Sequence, residues 1–238
     1  MKKTVLITGS AKGIGKACIE KFASEGYNVV INYLTSEKQA IELKNAVENL
    51  YGVKALCIKA DISNEDEVKN MISKVINVFG KIDVLINNAN YEQDNHFLEK
   101  TKEEFLSVLE VNVVGTFLMI KYLSKIMDNG LIINISSADG IDTYNEVSMD
   151  YCASKAAIIS LTKTYSLALN SKVIAVAPEW VNTEIVKDMN PLFLEEELKR
   201  TNQKRLLEPN EVANKIYDIA NSEIKTGSII RIGVEDDV

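Results

Sequence analysis

The chain has 238 residues, of which 46% are hydrophobic and 26% are charged, and its formal net charge is −7 at pH 7. This length suits one α/β domain with a sizeable core, so we expect a single domain over residues 1–238. The negative charge argues against nucleic acid or an anionic membrane as the main partner, because both attract a basic face.

The cysteines and the single histidine narrow the chemistry further. Cys18, Cys57 and Cys152 are widely spaced among apolar residues, which is typical of reduced thiols in a cytoplasmic protein. A metal site is not expected from one histidine and scattered cysteines, and a Ser-His-Asp hydrolase would have to use His96. This histidine lies in a polar stretch without a nucleophile beside it, so we interpret it as a surface residue. We expect no apolar run long enough to span a membrane.

The chain begins with an apolar strand that runs directly into a glycine-rich turn and then a helical pattern. Strand, glycine turn and helix form the context in which such a motif binds a dinucleotide. Gly9 permits the tight turn, Gly13 lets backbone N–H groups approach a pyrophosphate, and Gly15 lets the helix pack closely on the strand. The first unpaired N–H groups of the helix then face the phosphates. A glycine turn by itself is weak support, but its place at the first βα turn strengthens it.

Apolar strands alternate with longer helical patterns along the whole chain. This alternation predicts a doubly wound α/β fold with a mostly parallel seven-stranded sheet and helices on both faces. The predicted strands are 4–8, 29–33, 55–59, 84–87, 131–136, 173–177 and 228–232. Helix boundaries are predicted from capping residues, which are Ser36 with Gln39, Ser63 with Asp66, Thr101 with Glu104, Gly80 and Pro209. We interpret 182–207 as a segment that covers the substrate, because it follows the sixth strand on the ligand side of an open sheet.

The second strand bears on the choice of cofactor. Enzymes of this fold that use NAD usually place an acidic residue at the end of this strand, where it binds the ribose 2′-hydroxyl. No acid occurs from Val29 to Ser36, and Lys12 adds a positive charge inside the glycine loop. Thr35 and Ser36 add hydroxyl donors at the start of a helix. The pattern therefore favours NADP(H), although Lys12 in a solvated loop is also an ordinary feature.

Tyr151 and Lys155 are four residues apart in a predicted helix and therefore share one face. A lysine ammonium beside a phenol favours the phenolate, so we expect Lys155 to lower the pKa of Tyr151. About one tyrosine with a lysine four residues later is expected by chance in a chain of this composition. The pair is informative because of its position after the fifth predicted strand. The preceding strand ends in Ser136 and Ser137, which can orient a carbonyl or can be plain loop hydroxyls. Asn112 lies mid-helix among apolar residues, where an amide requires partners.

Together these residues resemble the classical short-chain dehydrogenase/reductase family over essentially the whole length of the chain, which implies a Rossmann-type fold. The resemblance implies that Tyr151 exchanges a proton with the carbonyl or alcohol oxygen and that Ser137 hydrogen-bonds that oxygen. It implies that Lys155 holds the cofactor ribose and that Asn112 positions a water that relays protons to Lys155. The cofactor contacts that the motifs and the resemblance imply are Gly9, Ser10, Lys12, Gly13, Ile14, Gly15, Asn32, Tyr33, Ser36, Asp61, Ile62, Asn88, Ala89, Tyr151, Lys155, Pro178, Val181 and Thr183.

Within the family the chain is most similar to 3-oxoacyl-acyl-carrier-protein reductases. This implies NADP(H) as cofactor and an acyl-carrier-linked carbonyl as substrate, and a free sugar, steroid or quinone is the alternative. A basic docking site suits the acidic carrier protein. Asp128 stands where the family often has a basic residue, whereas Lys121 and Lys125 could compensate. A non-catalytic nucleotide-binding regulator is a further alternative.

The resemblance also implies a homodimer or homotetramer that pairs the helices carrying Asn112 and Tyr151. The sequence departs from the family pattern in five places, two of which are Ile174 in place of an asparagine and a spacing from Ser137 to Tyr151 that is one residue longer than the commonest one. Asn90 replaces a glycine, and Glu179 replaces the glycine after Pro178, which places a carboxylate near the expected nicotinamide. The closing segment 232–235 lacks the usual pair of glycines.

Overall fold

The computed structural model describes residues 2–127, 129–144, 146–187 and 189–233. Seven strands form one sheet, and all of the paired strands run parallel to their neighbours. The strands are β1 (Thr4–Ile7), β2 (Asn28–Tyr33), β3 (Ala55–Lys59), β4 (Val84–Asn87), β5 (Leu131–Ile135), β6 (Lys172–Pro178) and β7 (Ile229–Ile232). The predicted doubly wound sheet is confirmed, and every predicted strand end lies within one residue of the observed one.

The strand order explains where a ligand can bind. The order across the sheet is β3-β2-β1-β4-β5-β6-β7, so the direction of winding reverses between β1 and β4. In open parallel sheets, ligands bind at the carboxyl ends of the strands beside such a reversal. The segments that follow β1, β4, β5 and β6 meet at this edge, and they carry the predicted glycine turn and catalytic residues.

Helices cover both faces of the sheet. They are α1 (Gly13–Ser24), α2 (Glu37–Tyr51), α3 (Glu65–Phe79), α4 (Lys102–Leu109), α5 (Thr116–Leu123), α6 (Met149–Ala168), α7 (Glu184–Lys187), α8 (Pro191–Arg200) and α9 (Pro209–Ala220). The two cores alternate along β1, because Val5 and Ile7 belong to one buried cluster and Leu6 to the other. Phe22 of α1 packs in the first cluster and Met71 of α3 packs in the second. A strand buried on both faces is accordingly apolar throughout.

Two of the predicted helix caps are wrong. Ser36 directly precedes α2, but its side chain makes no capping hydrogen bond, and its ψ of 54° lies outside the extended region that an N-cap uses. Ser63 does not cap α3, because its hydroxyl donates to Asp61 Oδ1 at 2.6 Å. Asn64 caps α3 instead, and its Oδ1 accepts from the backbone N–H groups of Asp66 and Glu67.

The other predicted boundaries are confirmed. Thr101 and Glu104 form a reciprocal capping box at the start of α4, in which the Thr101 hydroxyl accepts from Glu104 N at 3.2 Å. Gly80 ends α3 at a φ of +78°, a conformation that favours glycine. Pro209 occupies the first turn of α9, where its missing N–H costs nothing.

A π-helical turn, Glu110–Gly115, joins α4 to α5 and contains Asn112. The continuous run Lys102–Leu123 is long and apolar enough to cross a membrane by length and composition alone, so the expectation that no such run exists is wrong. A helix in the core of a globular protein passes the same test, and this one packs against α3 and α6. The match is therefore weak support for a membrane span.

Candidate active site

The glycine turn after β1 brings three backbone segments into close contact. Gly9 and Gly13 have φ values of +59° and +53°, a region that side-chain-bearing residues rarely adopt. A Cβ at Gly9 would lie 2.7 Å from Ala89 Cα, and one at Gly15 would lie 2.7 Å from Ser10 Cα. The turn therefore requires glycine both for its conformation and for space.

Asn32 holds the glycine turn rather than facing the cavity. Its Oδ1 accepts from Gly9 N at 3.1 Å, and its Nδ2 donates to Ala60 O at 3.0 Å. The hydroxyl of Tyr33 donates to Glu37 Oε1 at 3.2 Å, so an acid stands just beyond the acid-free stretch of the second strand. These predicted cofactor contacts at the end of β2 are thus engaged within the protein itself.

Thr8 and Asn88 join the ends of the two central strands. The Thr8 hydroxyl accepts from Asn88 N at 3.0 Å and from Ala89 N at 2.9 Å. The Asn88 amide donates to Thr8 O at 2.9 Å and to Gly9 O at 3.1 Å. The base of the crevice between β1 and β4 is therefore closed by four hydrogen bonds.

A cavity of about 420 Å³ opens above this base. The predicted site residues that line it are Gly9, Lys12, Gly13, Ile14, Asn88, Ser137, Tyr151, Lys155, Pro178, Val181 and Thr183. The predicted residues outside its lining are Ser10, Gly15, Asn32, Tyr33, Ser36, Asp61, Ile62, Ala89 and Asn112. The structure thus brings the glycine turn, three of the four catalytic candidates and the segment after β6 to one cavity. An adenine contact at Asp61 and Ile62 stays a prediction, and the Asp61 carboxylate accepts from Ser63.

Lys155 lies buried beneath the ring of Tyr151. Its Nζ is 5.2 Å from the ring centroid and donates to Ile135 O at 3.1 Å. Burial lowers the pKa of Lys155 to about 8, and the nearby carboxylates of Glu92 and Asp139 oppose this shift. The residue is therefore close to its titration point at neutral pH and can both hold and release a proton.

The end of β5 and the helix α6 are joined by hydrogen bonds in both directions. Besides the bond from Lys155 to Ile135, the Ser136 hydroxyl donates to Lys155 O at 2.8 Å. A Cβ at Gly140 would lie 2.6 Å from the Lys155 carbonyl carbon, so the turn after Ser137 packs directly on α6. Ser136 and Ser137 both line the cavity, but the Ser136 hydroxyl is bound to the backbone of α6, whereas the Ser137 hydroxyl donates to Asp139 Oδ2 at 3.3 Å. The role of Ser137 at a substrate oxygen stays a prediction.

The pKa of Tyr151 departs from the sequence-based expectation. Burial raises it, the carboxylates of Glu92 and Asp139 raise it further, and the Ser137 hydroxyl lowers it. The expectation that the pKa of Tyr151 is lowered is therefore wrong in this structure, and desolvation of the phenolate is the largest cause of the opposite shift. Tyr151 is therefore protonated at neutral pH.

Asn112 has the hydrogen-bond partners that a buried amide requires. Its Oδ1 accepts from Tyr91 N at 2.8 Å, and its Nδ2 donates to Tyr91 O at 2.9 Å and to Ser154 Oγ at 3.0 Å. The amide thus links the segment after β4 to the catalytic helix α6. Its proposed role with a water stays a prediction.

Three carboxylates of the cavity lining were not predicted from the sequence, and Glu184 at the start of α7 is one of them. The other two are Glu92 and Asp139. Glu92 lines the cavity, and burial raises its pKa. Asp139 also lines the cavity, and its pKa is raised by burial although Thr143 and Ser137 bind its two oxygens. The only signals were their positions two residues after Asn90 and two after Ser137.

The departures from the family pattern are accommodated. Asn90 does not adopt a positive φ, so that site does not demand glycine. Glu179 lines the cavity, but its carboxylate is bound by Arg231. Two sequence interpretations concern residues outside the described ones. These are the end of the closing segment, from residue 234 onward, and Asp128 at a position that is often basic in the family.

The predicted covering segment borders the cavity. Ile185 and Val186 of α7 line it, as do Thr201 and Gln203 after α8. The buried Gln203 amide fixes this segment, because it donates to Trp180 O at 2.8 Å and accepts from Trp180 N at 2.9 Å. His96 lies exposed on another loop.

The residues of the glycine turn fit the pyrophosphate of a dinucleotide. Gly13 has no Cβ that would stand between its backbone and a phosphate, and a Cβ there would lie 3.4 Å from Thr183 Cγ2 and 3.8 Å from Glu184 Oε2. Lys12 is exposed beside Gly13, and among the described residues no hydrogen bond or ion pair engages its ammonium. The N-terminus of α1 adds unpaired donors. No group of histidine, cysteine and acidic side chains suited to a metal occurs in the described part of the chain.

Known proteins are similar to this chain in sequence and in fold. A 3-oxoacyl-[acyl-carrier-protein] reductase of Staphylococcus epidermidis is 33% identical over 240 residues, which cover 98% of each chain. The corresponding reductase of Thermotoga maritima is 36% identical over 239 residues, covering 97% of this chain and 96% of that protein.

Solved structures with a similar fold belong to the same kind of enzyme as these relatives. A short-chain dehydrogenase/reductase from Serratia marcescens superposes with a TM-score of 0.90 at 28% identity, covering 97% of this chain and 96% of that chain. A short chain dehydrogenase from Burkholderia cenocepacia in complex with NADP has a TM-score of 0.87 at 26% identity and the same coverage. The family model of the short chain dehydrogenases matches residues 3–192. The chain therefore belongs to the short-chain dehydrogenase/reductase family of nicotinamide-dependent oxidoreductases.

Proposed function

We propose that the chain is an NADP(H)-dependent oxidoreductase that interconverts a carbonyl and a secondary alcohol on a 3-oxoacyl thioester carried by acyl carrier protein. One observation carries the chemistry, namely that Ser137, Tyr151 and Lys155 line one cavity of about 420 Å³. The identities of 33% and 36% to two 3-oxoacyl-acyl-carrier-protein reductases support the substrate class.

In the direction of reduction, Tyr151 donates its proton to the carbonyl oxygen and Ser137 hydrogen-bonds the same oxygen. The bound nicotinamide supplies the hydride. The raised pKa of Tyr151 keeps the phenol protonated, which is the form that reduction consumes. Lys155, with a pKa of about 8, can then supply a proton to Tyr151 in place of the one given to the substrate. Asn112 acts from a fixed position, since Tyr91 and Ser154 bind its amide, and we propose that it retains a water for proton relay to Lys155.

NADP(H) is the proposed cofactor rather than NAD(H). The absence of an acid from Val29 to Ser36 leaves room for a 2′-phosphate, and Lys12 offers an accessible positive charge. The NADP complex of the Burkholderia relative supports this choice. Glu37, which Tyr33 binds, is the one nearby feature that favours NAD(H) instead.

A free small-molecule carbonyl is the second candidate substrate. It is favoured by Glu92 and Asp139, because two carboxylates beside Tyr151 can accept hydrogen bonds from the hydroxyl groups of a compound such as a sugar. A carrier-linked fatty acyl chain has no such donors next to its ketone.

A substrate panel tests the proposal. The panel contains a carrier-linked 3-oxoacyl thioester, a generic β-ketoester, a sugar, a steroid and a quinone, and loss of NADPH absorbance reports turnover. The carrier-linked thioester is expected to have the highest kcat/KM. A higher value for a free compound would favour the second candidate, and NADPH binding without turnover of any compound would indicate a non-catalytic regulator.

We also propose a homodimer or homotetramer located in the cytoplasm. The surface of the helices around Asn112 exposes Leu106, Val114 and Phe117, each more than two-fifths exposed, which is a hydrophobic face suited to a second copy. Cys18 and Cys57 are free thiols, as suits a reducing compartment.

A further inference from the structure

Glu179 lies on the wall of the cavity, where contacts of its backbone and of its carboxylate hold it in place. It follows Pro178 at the end of β6, and its backbone N–H donates to Ile232 O at 2.9 Å. Its carboxylate accepts from Arg231 Nε at 2.9 Å, and 16% of the side chain is exposed. A Cβ at Gly233 would lie 2.9 Å from Glu179 Oε2, so a larger residue there would displace the carboxylate.

Arg231 connects Glu179 to the segment that follows Ser137. Its Nη1 donates to Asp142 Oδ1 at 2.8 Å and to Asp142 Oδ2 at 3.0 Å. Asp142 is mostly exposed, whereas Glu179 is mostly buried. The guanidinium therefore matters most as the counter-ion of Glu179, because a buried carboxylate without a partner retains far more of its field than a solvated one.

The charge of Glu179 affects the binding of oxidised and reduced cofactor differently. An oxidised nicotinamide ring carries one positive charge and a reduced ring carries none, so an unpaired carboxylate on the cavity wall stabilises the oxidised form selectively. We propose that Arg231 is a positioning residue that neutralises Glu179 and thereby sets the relative affinity of the cavity for oxidised and reduced cofactor. This inference rests on the proposed function, in which this cavity binds a nicotinamide dinucleotide.

Calorimetric titration of the cofactor-free protein with NADP⁺ and, separately, with NADPH measures the ratio of the two dissociation constants without turnover. In Arg231→Met the ratio is expected to shift toward NADP⁺ by about five-fold, the size of one partly screened charge interaction. In Glu179→Gln, which removes the carboxylate from the cavity wall while Arg231 keeps its bonds to Asp142, the ratio is expected to shift toward NADPH. The double variant should return to within about two-fold of the wild type, because neither charge is left alone.

Arg205→Met is the matched control, because it also breaks an arginine–glutamate pair, with Glu211 at 2.8 Å, that does not line the cavity. Its ratio should equal that of the wild type. Opposite shifts in the two single variants support the inference, and an unchanged ratio or shifts of the same sign overturn it. If Arg231→Met does not fold, the sign of the shift in Glu179→Gln decides alone. If the wild type binds neither form, the proposed function fails and the inference fails with it.

Discussion

Lys100 and Asp150 form a buried ion pair in which Nζ and Oδ2 are 2.7 Å apart and 3% and 0% of the side chains are exposed. Asp150 directly precedes Tyr151, and its Oδ1 accepts from Tyr151 N at 2.9 Å. Lys100 directly precedes the cap of α4. The pair therefore anchors the first turn of the catalytic helix to the segment that follows β4.

Replacing Lys100 by Met should destabilise the protein by about 3 kcal/mol, because it leaves the buried Asp150 carboxylate without its counter-ion. Urea unfolding measures the change in the free energy of unfolding. Lys199→Met, which breaks an exposed pair with Glu195, should cost less than about 1 kcal/mol. Equal losses in the two variants would contradict the structural importance assigned to the buried pair.

Tyr151→Phe should lower turnover by about 10²–10⁴-fold, the range that general acid catalysis supplies. The dissociation constant of NADPH should stay nearly unchanged, since the aromatic ring above Lys155 is retained. Steady-state kinetics and calorimetry measure the two quantities. A variant that keeps more than about a tenth of wild-type turnover would show that another group donates the proton.

Glu92→Gln should move the pH profile of alcohol oxidation toward lower pH. Oxidation consumes the phenolate, and the Glu92 carboxylate raises the pKa of Tyr151, so its removal lets the phenolate form at lower pH. The profile of kcat/KM between pH 6 and 10 reports the shift. Glu99→Gln is the matched control, because Glu99 is exposed and does not line the cavity. A profile displaced toward higher pH would refute the assigned sign.

NADPH should give a higher kcat/KM than NADH, and Lys12→Ala should narrow the difference, because Lys12 is the exposed cation beside the glycine turn. Lys16→Ala is a suitable control, since Lys16 is also exposed but pairs with Glu20 at 3.8 Å. Kinetic constants for both cofactors measure the effect. Equal constants, or a preference for NADH, would overturn the assignment and point to Glu37 as a ligand of the ribose.

Phe117→Glu should shift the protein toward the monomer, because it places a charge in the exposed apolar face of the helices around Asn112. Sedimentation velocity at micromolar concentration measures the assembly. Leu50→Glu, on the exposed side of α2, should leave the assembly unchanged. A wild-type protein that sediments as a monomer would rule out the proposed dimer or tetramer.

The sheet could be predicted closely because buried parallel strands are nearly continuous in apolar residues. Helix starts were less predictable, since Ser63 has the spacing of a cap but gives its hydroxyl to Asp61, and Asn64 takes its place. A side chain with two possible partners cannot be assigned from spacing alone.

That Ser137, Tyr151 and Lys155 lie at one cavity could be predicted, because the helix with Tyr151 and Lys155 follows a strand that ends in serine. The electrostatics of the site could not, since Glu92 and Asp139 reach Tyr151 only through the folding of two separate segments. The same holds for Arg231, which meets Glu179 across 52 residues of sequence.

The reciprocal bonds between β5 and α6 give the site a fixed internal distance. Lys155 donates to Ile135 and Ser136 donates to Lys155, so two hydrogen bonds join the strand that precedes Ser137 to the helix that carries Tyr151. In the proposed reaction, a substrate would meet the Ser137 and Tyr151 hydroxyl groups on two elements that are already held together, which would leave little ordering of the protein for the moment of reaction. Adaptation to new substrates can then be confined to the covering segment and to the carboxylates of the wall, without disturbing the proton-transfer geometry.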